Sequence, residues 1–318
     1  MDPNDTHGNL NARLQFAQEG VIEHQNLGVI SASGADAEQF LQAQLTCDLR
    51  TLDEHHWLPG GHCDAKGKLW SVFRIFRHDQ GFMLLMNSEL LPKSLAELKK
   101  FSVFNKVEFT DESEQWRSYL FLGDKAARDH GFSAIPQDAR AMHSDSSGCL
   151  LHLDKGIVLA LLPANGTPIN TTLPSEQAAI IDMQLGWPLV ASSQQQEHIP
   201  QTLNLDQLGA VSFKKGCYIG QETIARMHYK GQTKRRMQLL VGKCTEIPTE
   251  NDVVERQVGD NWRRAGAVLS SVRYDSEVVA VQAILPVDLD ESSPLRIKGQ
   301  DDSQFTPLSA IRDNGIKE

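Results

Sequence analysis

The chain has 318 residues, of which 40% are hydrophobic and 23% charged, and its formal net charge is −10. This length suggests two or three packed units, and the composition is that of an ordinary soluble globular protein. The net charge disfavours broad electrostatic attraction to nucleic acid, and no apolar stretch is long enough to cross a bilayer, so we expect no membrane partner.

The N-terminal residues are polar and lack the basic-then-apolar layout of a signal peptide. We therefore expect a disordered leader over residues 1–20 and a cytoplasmic protein. The cysteines are five in number, and none of them forms a C-x-x-C pair (Cys47, Cys63, Cys149, Cys217 and Cys244). This pattern argues against a disulfide framework and against a metal site, so we expect free thiols in a reducing compartment.

The predicted elements of the first part of the chain follow the order β-α-β-β-β-α-β. Strands are expected at residues 28–33, 57–63, 69–76, 82–86 and 106–110, and helices from Ser33 or Gly34 onward and at residues 91–101. His62-Cys63-Asp64 contains metal-ligand residue types, but a turn at a strand end explains the segment better. The order predicts an α+β unit over about residues 21–112, with helices on one face of a mainly antiparallel sheet.

A second unit is expected over about residues 113–235. Its predicted elements are a strand at 119–122, a helix at 124–130, a hairpin of 150–153 with 157–162, and a helix at 175–185. After Arg236 the pattern changes to short strands at 237–241, 265–272, 278–285 and 295–297 without helical periodicity. Residues 236–318 are therefore expected to form a small β-barrel or sandwich.

Basic residues concentrate in one stretch of this acidic chain. Residues 214–236 contain seven basic residues and one acid, Glu222, which gives +6 and leaves −16 for the rest of the chain. The basic residues are Lys214, Lys215, Arg226, Lys230, Lys234, Arg235 and Arg236. The concentration suggests a localised anionic ligand, and the alternative is a solvated surface that is paired with acids elsewhere.

Cys217 lies inside this basic stretch, between Gly216 and Gly220. Glycines permit sharp turns and close backbone approach, and the residues after Gly220 favour a helix. A thiol close to a helix N-terminus and beside lysines is expected to have a lowered pKa. The alternative is a small buried hydrophobic residue, and a catalytic cysteine would also require a positioned base, for which His228 is the nearest histidine in sequence.

The segment from Phe213 to Glu222 resembles the signature K-G-C-(Y/F)-x-G-Q-E of the YgfZ family, whose members are relatives of the glycine-cleavage T-protein, which handles tetrahydrofolate. Further segments resemble the family in the expected order, and the resemblance runs from about Leu27 to the C-terminus. These segments are residues 62–68, 199–201, 204–205 and 261–264.

The resemblance implies a folate-binding body of two ferredoxin-like units over residues 21–235, with a central opening for tetrahydrofolate or a one-carbon derivative, and a C-terminal β-barrel. It also implies a role in maintaining iron–sulfur enzymes, including the tRNA methylthiotransferases, and thereby in tRNA modification, with tRNA itself involved only indirectly. The family's functionally important cysteine corresponds to Cys217. Its neighbours in the motif are Lys215, Tyr218, Gln221, Glu222 and Arg226.

The chain departs from the family at positions associated with folate contact. Leu27 and Ala178 stand where close relatives carry tryptophans, and Gln184 stands where a glutamate is common. Stacking on an aromatic face adds about 0.5–1.5 kcal/mol beyond burial, so these changes predict weaker folate affinity. Trp187 offers a substitute surface, although a core position at the end of its helix is the simpler interpretation.

Three functions are compatible with these features. The first is a folate-dependent accessory factor for iron–sulfur enzymes, and the second is a non-catalytic folate sensor in which Cys217 is structural. The third is an enzyme that binds tRNA directly, which the net charge of −10 disfavours. The sequence leaves open whether the protein catalyses a reaction.

Overall fold

The computed structural model describes residues 19–290 and 292–308, so the predicted leader lies outside the described residues up to position 18. The described chain groups into two compact units. The larger contains Gly20–Ala178 and Val190–Thr233, and the smaller contains Ala179–Leu189 and the residues from Lys234 onward. The division into 21–112, 113–235 and 236–318 stays a prediction. No helix in the described residues is long and apolar enough to span a membrane.

The larger unit contains two five-stranded sheets. Its elements are β1 (Gly20–Glu23), β2 (Leu27–Ser33), α1 (Ala37–Gln44), β3 (Trp57–Cys63), β4 (Leu69–His78), β5 (Gly81–Asn87), α2 (Leu91–Phe101), β6 (Glu108–Asp111), β7 (Trp116–Leu122), α3 (Asp124–Asp129), β8 (Met142–Asp145), β9 (Gly148–Asp154) and β10 (Ile157–Pro163). Helix α4 (Gln177–Gln184) contains the division between the units, which falls after Ala178. Helix α5 (Gln221–Lys230) is the last element of the larger unit.

The first sheet has the antiparallel strand order β3-β4-β5-β2-β6. Helix α1 covers it with Ala37, Phe40 and Leu41, whose i, i+3, i+4 spacing places them on one side of the helix, in the same buried cluster as Phe73 of β4. Helix α1 begins at Ala37, later than predicted, because Gly34 has φ 119° and approaches the backbone of Lys106. The predicted α+β order of this sheet is confirmed.

The second sheet has the order β1-β7-β10-β9-β8, again antiparallel throughout. Tyr119, Phe121, Leu150 and Val158 form part of its buried core. The two outer strands, β1 and β8, were missed by the sequence pattern. Each is four residues long, which is too short for alternation to distinguish a strand from a loop.

The smaller unit contains a closed barrel of six strands in the order β11-β14-β13-β12-β15-β16, which decides between the barrel and the sandwich. The strands are β11 (Arg235–Lys243), β12 (Val253–Val258), β13 (Asn261–Arg273), β14 (Val279–Pro286), β15 (Leu295–Ile297) and β16 (Gln300–Leu308). Gln282 of β14 joins the segment Ala179–Leu189 to the barrel. Its side chain donates to the carbonyl of Trp187 at 2.7 Å and accepts from the backbone N–H of Leu189 at 2.9 Å.

Candidate functional site

The motif loop (residues 213–220) lies in the larger unit and leads directly into α5. Backbone hydrogen bonds hold it near both ends. The N–H of Ser212 donates to the carbonyl of Thr46 at 2.9 Å, and the N–H of Ile219 donates to the carbonyl of Ala43 at 3.0 Å. Because Ala43 and Thr46 belong to the last turn of α1 and the residues after it, that helix end forms the platform for the loop.

Lys215 is buried in this platform. Its Nζ donates to the carbonyls of Leu45 at 2.8 Å and Cys47 at 2.6 Å. Leu45 is the C-cap of α1, where unpaired carbonyls and the negative end of the helix dipole favour a cation. Burial lowers the pKa of Lys215 to about 8, although Cys47 and Asp48 act in the opposite direction. Lys215 therefore binds the backbone of the platform, whereas Lys214 is exposed.

Tyr218 is buried beside Lys215, whose Nζ lies 5.1 Å from the centroid of its ring. Burial raises the pKa of its hydroxyl, so the group stays protonated at neutral pH. Within the described residues this hydroxyl has no hydrogen-bond partner. A buried donor without a partner is uncommon and costs free energy, which makes Tyr218 a candidate for contact with a bound molecule.

Gly220 completes the loop with a left-handed conformation, φ 83°. A Cβ atom at this position would lie 2.6 Å from the carbonyl oxygen of Asp64 and 2.7 Å from Cα of Gly67. The turn that Gly220 touches is fixed by the Asp64 carboxylate, which accepts the N–H groups of Lys66 and Lys68 at 2.8 Å each. Two segments that resemble the family, 62–68 and 213–222, thus meet backbone to backbone.

The tip of the motif loop is open to solvent. Gly216 and Cys217 are exposed, and a Cβ atom at Gly216 would meet no atom within 4 Å. All five cysteines lie in the described residues and are free thiols, and Cys217 is the exposed one. Burial raises the pKa of the other four, to about 12 for Cys47 and about 11 for Cys149, and in the same direction for Cys63 and Cys244.

Helix α5 begins at Gln221, four positions after Cys217, so the thiol lies close to a helix N-terminus in the chain, as the sequence predicted. Gln221 is half-buried, and Glu222 is exposed in the first turn, where a carboxylate is favourable. Arg226 is exposed one turn later. Ile224 faces inward, and its carbonyl accepts a hydrogen bond from the side chain of Gln201 at 2.8 Å.

His228 was the nearest candidate for a base that could activate Cys217. Its ring stacks on Phe213 with the centroids 3.6 Å apart and an interplanar angle of 13°. Tyr229 meets both rings edge-on. Among the hydrogen bonds of the described residues there is none between His228 and Cys217, so the site contains no cysteine–histidine pair of the kind that a nucleophilic enzyme uses.

The remaining predicted positions lie away from the motif loop in the chain. Leu27 opens β2 and is half-buried, and Ala178 is buried in α4. Gln184 ends α4, and Trp187 is buried in the smaller unit, which confirms the core interpretation of that tryptophan. The roles of these positions and of the motif residues toward folate stay predictions.

His62-Cys63-Asp64 forms the end of β3 and the start of the following turn, as expected. His62 is buried, its Nδ1 lies 2.9 Å from Oγ of Ser94, and burial lowers its pKa to about 4. Across residues 19–290 and 292–308 no group of three or more potential metal ligands converges.

Sequence reasoning singled out Cys217, whose role stays a prediction, and missed the groups that position its loop. The carbonyls that bind Lys215 lie 170 and 168 positions away in the chain, and the turn at Gly67 carries no local sign of its contact with Gly220. The segments that resemble the family were the available signal for this contact. Residues 62–68 and 213–222 both resemble the family, and they touch although they are far apart in the chain.

Comparison with known proteins identifies the family. A protein named "tRNA-modifying protein YgfZ" from Aliivibrio fischeri (strain MJ11) is 36% identical over 304 residues, which cover 91% of this chain and 92% of the relative. The chain belongs to the YgfZ family. A second protein of that name, from Aliivibrio fischeri (strain ATCC 700601 / ES114), is 36% identical over 301 residues, with the same coverage of both chains.

The barrel and the fold agree with this membership. The family model described as "YgfZ, beta-barrel domain" matches residues 233–302. The crystal structure of the glycine cleavage system aminomethyltransferase T from Bartonella henselae superposes with a TM-score of 0.68, covering 96% of this chain and 90% of that one. The sequence identity is 14%, so this likeness establishes the T-protein-like fold alone.

Proposed function

We propose that this YgfZ-family protein is a cytoplasmic folate-binding accessory factor that supports iron–sulfur enzymes, including tRNA methylthiotransferases, and thereby tRNA modification. Cys217 is its working thiol, and tetrahydrofolate or a one-carbon derivative is its ligand. The observation that carries the proposal is the position of Cys217, which is the exposed thiol among five and lies at the open tip of an otherwise anchored loop. Five free thiols suit a reducing compartment.

The folate part of the proposal is supported by the T-protein-like fold and by the surface around the motif loop. Lys214, Arg226 and Lys230 are exposed, and none has a carboxylate partner in the part of the chain that the structure describes. Free cations of this kind suit the carboxylates of a polyglutamate tail. Tyr218 supplies an unused buried hydroxyl for the ligand. We assign folate binding to residues 21–235, separate from the barrel.

Other motif positions receive smaller roles in the proposal. Gln221 and Glu222 offer an amide and a carboxylate at the start of α5 for hydrogen bonds to the ligand. Leu27 and Ala178 are assigned to the folate site by resemblance, and because they lack the aromatic faces of relatives they predict weaker binding. Lys215 acts through the loop that it holds.

A folate sensor with a structural Cys217 is the alternative, and it predicts a packed cysteine side chain. The exposure of Cys217 favours the thiol function. Direct action on tRNA is disfavoured by the net charge of −10, so the proposed effect on tRNA passes through the enzymes that the protein keeps active.

Replacement of Cys217 by serine tests the proposal. Serine has a similar size but does not perform thiol exchange, so Cys217→Ser separates reactivity from shape. We expect unchanged thermal unfolding and unchanged tetrahydrofolate binding in a titration. In a strain that lacks the native protein, the variant should fail to restore methylthiolated tRNA, measured by mass spectrometry of tRNA nucleosides.

Cys244→Ser is the matched control and should restore methylthiolation fully. Alkylation of the folded protein by iodoacetamide, followed by peptide mass spectrometry, should modify Cys217 at least about 100-fold faster than Cys47 or Cys149, because a buried thiol reacts only after local opening. Full complementation by Cys217→Ser, with labelling of Cys217 no faster than that of the other thiols, would establish the sensor function instead.

A further inference from the structure

An apolar turn (residues 101–104) connects α2 to the segment before β6 and presents large hydrophobic side chains to solvent. Phe101 is 49% exposed, Val103 is 72% exposed, and Phe104 is 99% exposed. Isolated exposed hydrophobic residues are common, but three within four positions form a patch of the kind that marks interaction surfaces.

The apolar turn is ordered by its own hydrogen bonds. Ser102 is buried, and its Oγ donates to the carbonyl of Lys99 at 3.1 Å. The N–H of Asn105 then donates to the carbonyl of Ser102 at 2.8 Å. Nearby Leu98 and Phe109 fill the core of the first sheet without help from the turn. A hydrogen-bonded turn therefore presents Phe104 to solvent, and its side chain buries almost no area.

The sequence of this patch is basic, and two carboxylates lie beside it: Asp36 accepts the backbone N–H of Lys106 at 2.7 Å, and Glu97 pairs with Lys100. The eight residues 99–106 contain Lys99, Lys100 and Lys106 and no acid, in a chain whose net charge is −10. The Nζ atom of Lys100 lies 5.3 Å from the ring centroid of Phe101 and 3.4 Å from a carboxylate oxygen of Glu97. An apolar centre with a lysine rim is complementary to an apolar pocket that is rimmed by carboxylates.

We propose that the apolar turn is the docking surface for a protein partner that presents such an acid-rimmed apolar pocket. A symmetric contact between two copies of this chain would bring the lysine rims face to face, and that repulsion favours a different protein. Resting on the proposed function, the partner is the iron–sulfur enzyme that Cys217 serves. Phe104 inserts into the pocket, and Lys99 and Lys106 contact its acidic rim.

The position of the turn in the sheet separates docking from the thiol chemistry. The turn precedes β6, at one edge of the order β3-β4-β5-β2-β6, whereas the motif loop meets the residues that follow β3 at the other edge. Four strand spacings separate the two edges, which is roughly 19 Å. Because the side chains of Val103 and Phe104 are exposed, we expect their replacement to leave the motif loop and tetrahydrofolate binding unchanged.

The test uses Phe104→Ser and Val103→Ser in the full-length protein. Purified tRNA methylthiotransferase is titrated by biolayer interferometry, and tetrahydrofolate binding and thermal unfolding are measured in parallel. We expect the affinity for the enzyme to fall at least about tenfold for Phe104→Ser, as for a buried aromatic anchor, with folate binding and Tm unchanged. Val287→Ser, at an exposed apolar residue of the barrel unit, is the control that is matched to Val103→Ser and should bind normally.

Each contrary result has a separate meaning. If both turn variants bind the methylthiotransferase as tightly as the wild type does, the turn is not the docking surface, and the proposed function is unaffected. A wild-type protein that neither binds the enzyme nor restores methylthiolated tRNA overturns both. Loss of binding to phosphatidylglycerol vesicles in Phe104→Ser would assign the turn to a lipid surface. A wild-type dimer in sedimentation equilibrium, with Phe104→Ser monomeric, would assign the turn to contact with a second copy of the chain. Either of these two results overturns the proposal.

Discussion

The anchored positions of the motif loop and its open tip differ in burial and in contacts, although both lie within the same eight residues. Lys215, Tyr218 and Gly220 are buried and touch the platform at the end of α1 and the turn at Gly67. Gly216 and Cys217 are exposed, and a Cβ atom added at Gly216 would meet no atom within 4 Å. Within this loop, buried residues that hold the backbone in place thus stand next to an exposed glycine and an exposed thiol.

The two glycines of the loop provide the sharpest test of that difference. Gly220→Ala should lower the free energy of unfolding by about 1–3 kcal/mol from backbone strain alone, and more because its Cβ meets fixed backbone atoms of Asp64 and Gly67. Gly216→Ala should change it by less than about 0.5 kcal/mol. Urea denaturation followed by circular dichroism measures both, and equal effects would show that the loop is not anchored as described.

The two adjacent lysines give the second contrast. Lys215→Met removes the donor of two buried carbonyls and should lower the free energy of unfolding by about 2–3 kcal/mol, whereas exposed Lys214→Met should stay within about 0.5 kcal/mol. Thermal and urea denaturation of both variants measure the contrast. A Lys215→Met protein as stable as the wild type would exclude the role of the ammonium as an anchor.

The stability difference between the wild type and Lys215→Met should also depend on pH. Burial lowers the pKa of Lys215 from its ordinary 10.5 to about 8. Between these values the unfolded chain binds more protons than the folded one, so the Lys215 contribution to stability rises with pH and is smallest below pH 8. The difference in Tm between the wild type and Lys215→Met should therefore widen from pH 8 to pH 10. A difference that narrows would contradict the lowered pKa.

The last contrast concerns Arg226, which is exposed on α5. A charge-assisted hydrogen bond contributes about 1.5–3 kcal/mol, so Arg226→Ala should weaken binding of polyglutamylated tetrahydrofolate about tenfold or more and affect a tail-free pterin less. Arg264→Ala removes the same charge from an exposed barrel position and serves as the control in the calorimetric titration. Equal losses for both ligands would remove Arg226 from recognition of the tail.

The sequence predicted elements well where local signals were strong. Helix α2 has the predicted bounds because a proline stands at its start and its apolar residues recur at helical spacing. The strands that were missed, β12 and β16 among them, carry many polar residues, and their pairing partners decide their conformation. The role of Cys217 stays a prediction from its motif, and the anchoring of Lys215 was not predicted, because its partners are distant in sequence.

The bonds of Lys215 also affect the order of folding. They join positions that are 170 and 168 residues apart, and closing so long a loop is slow compared with forming local structure. During synthesis the first sheet and α1 emerge well before the motif, and N-terminal units fold first. The loop that carries Cys217 is therefore expected to be anchored late, onto a helix that folds earlier, so a damaged α1 would leave a complete motif without an ordered loop.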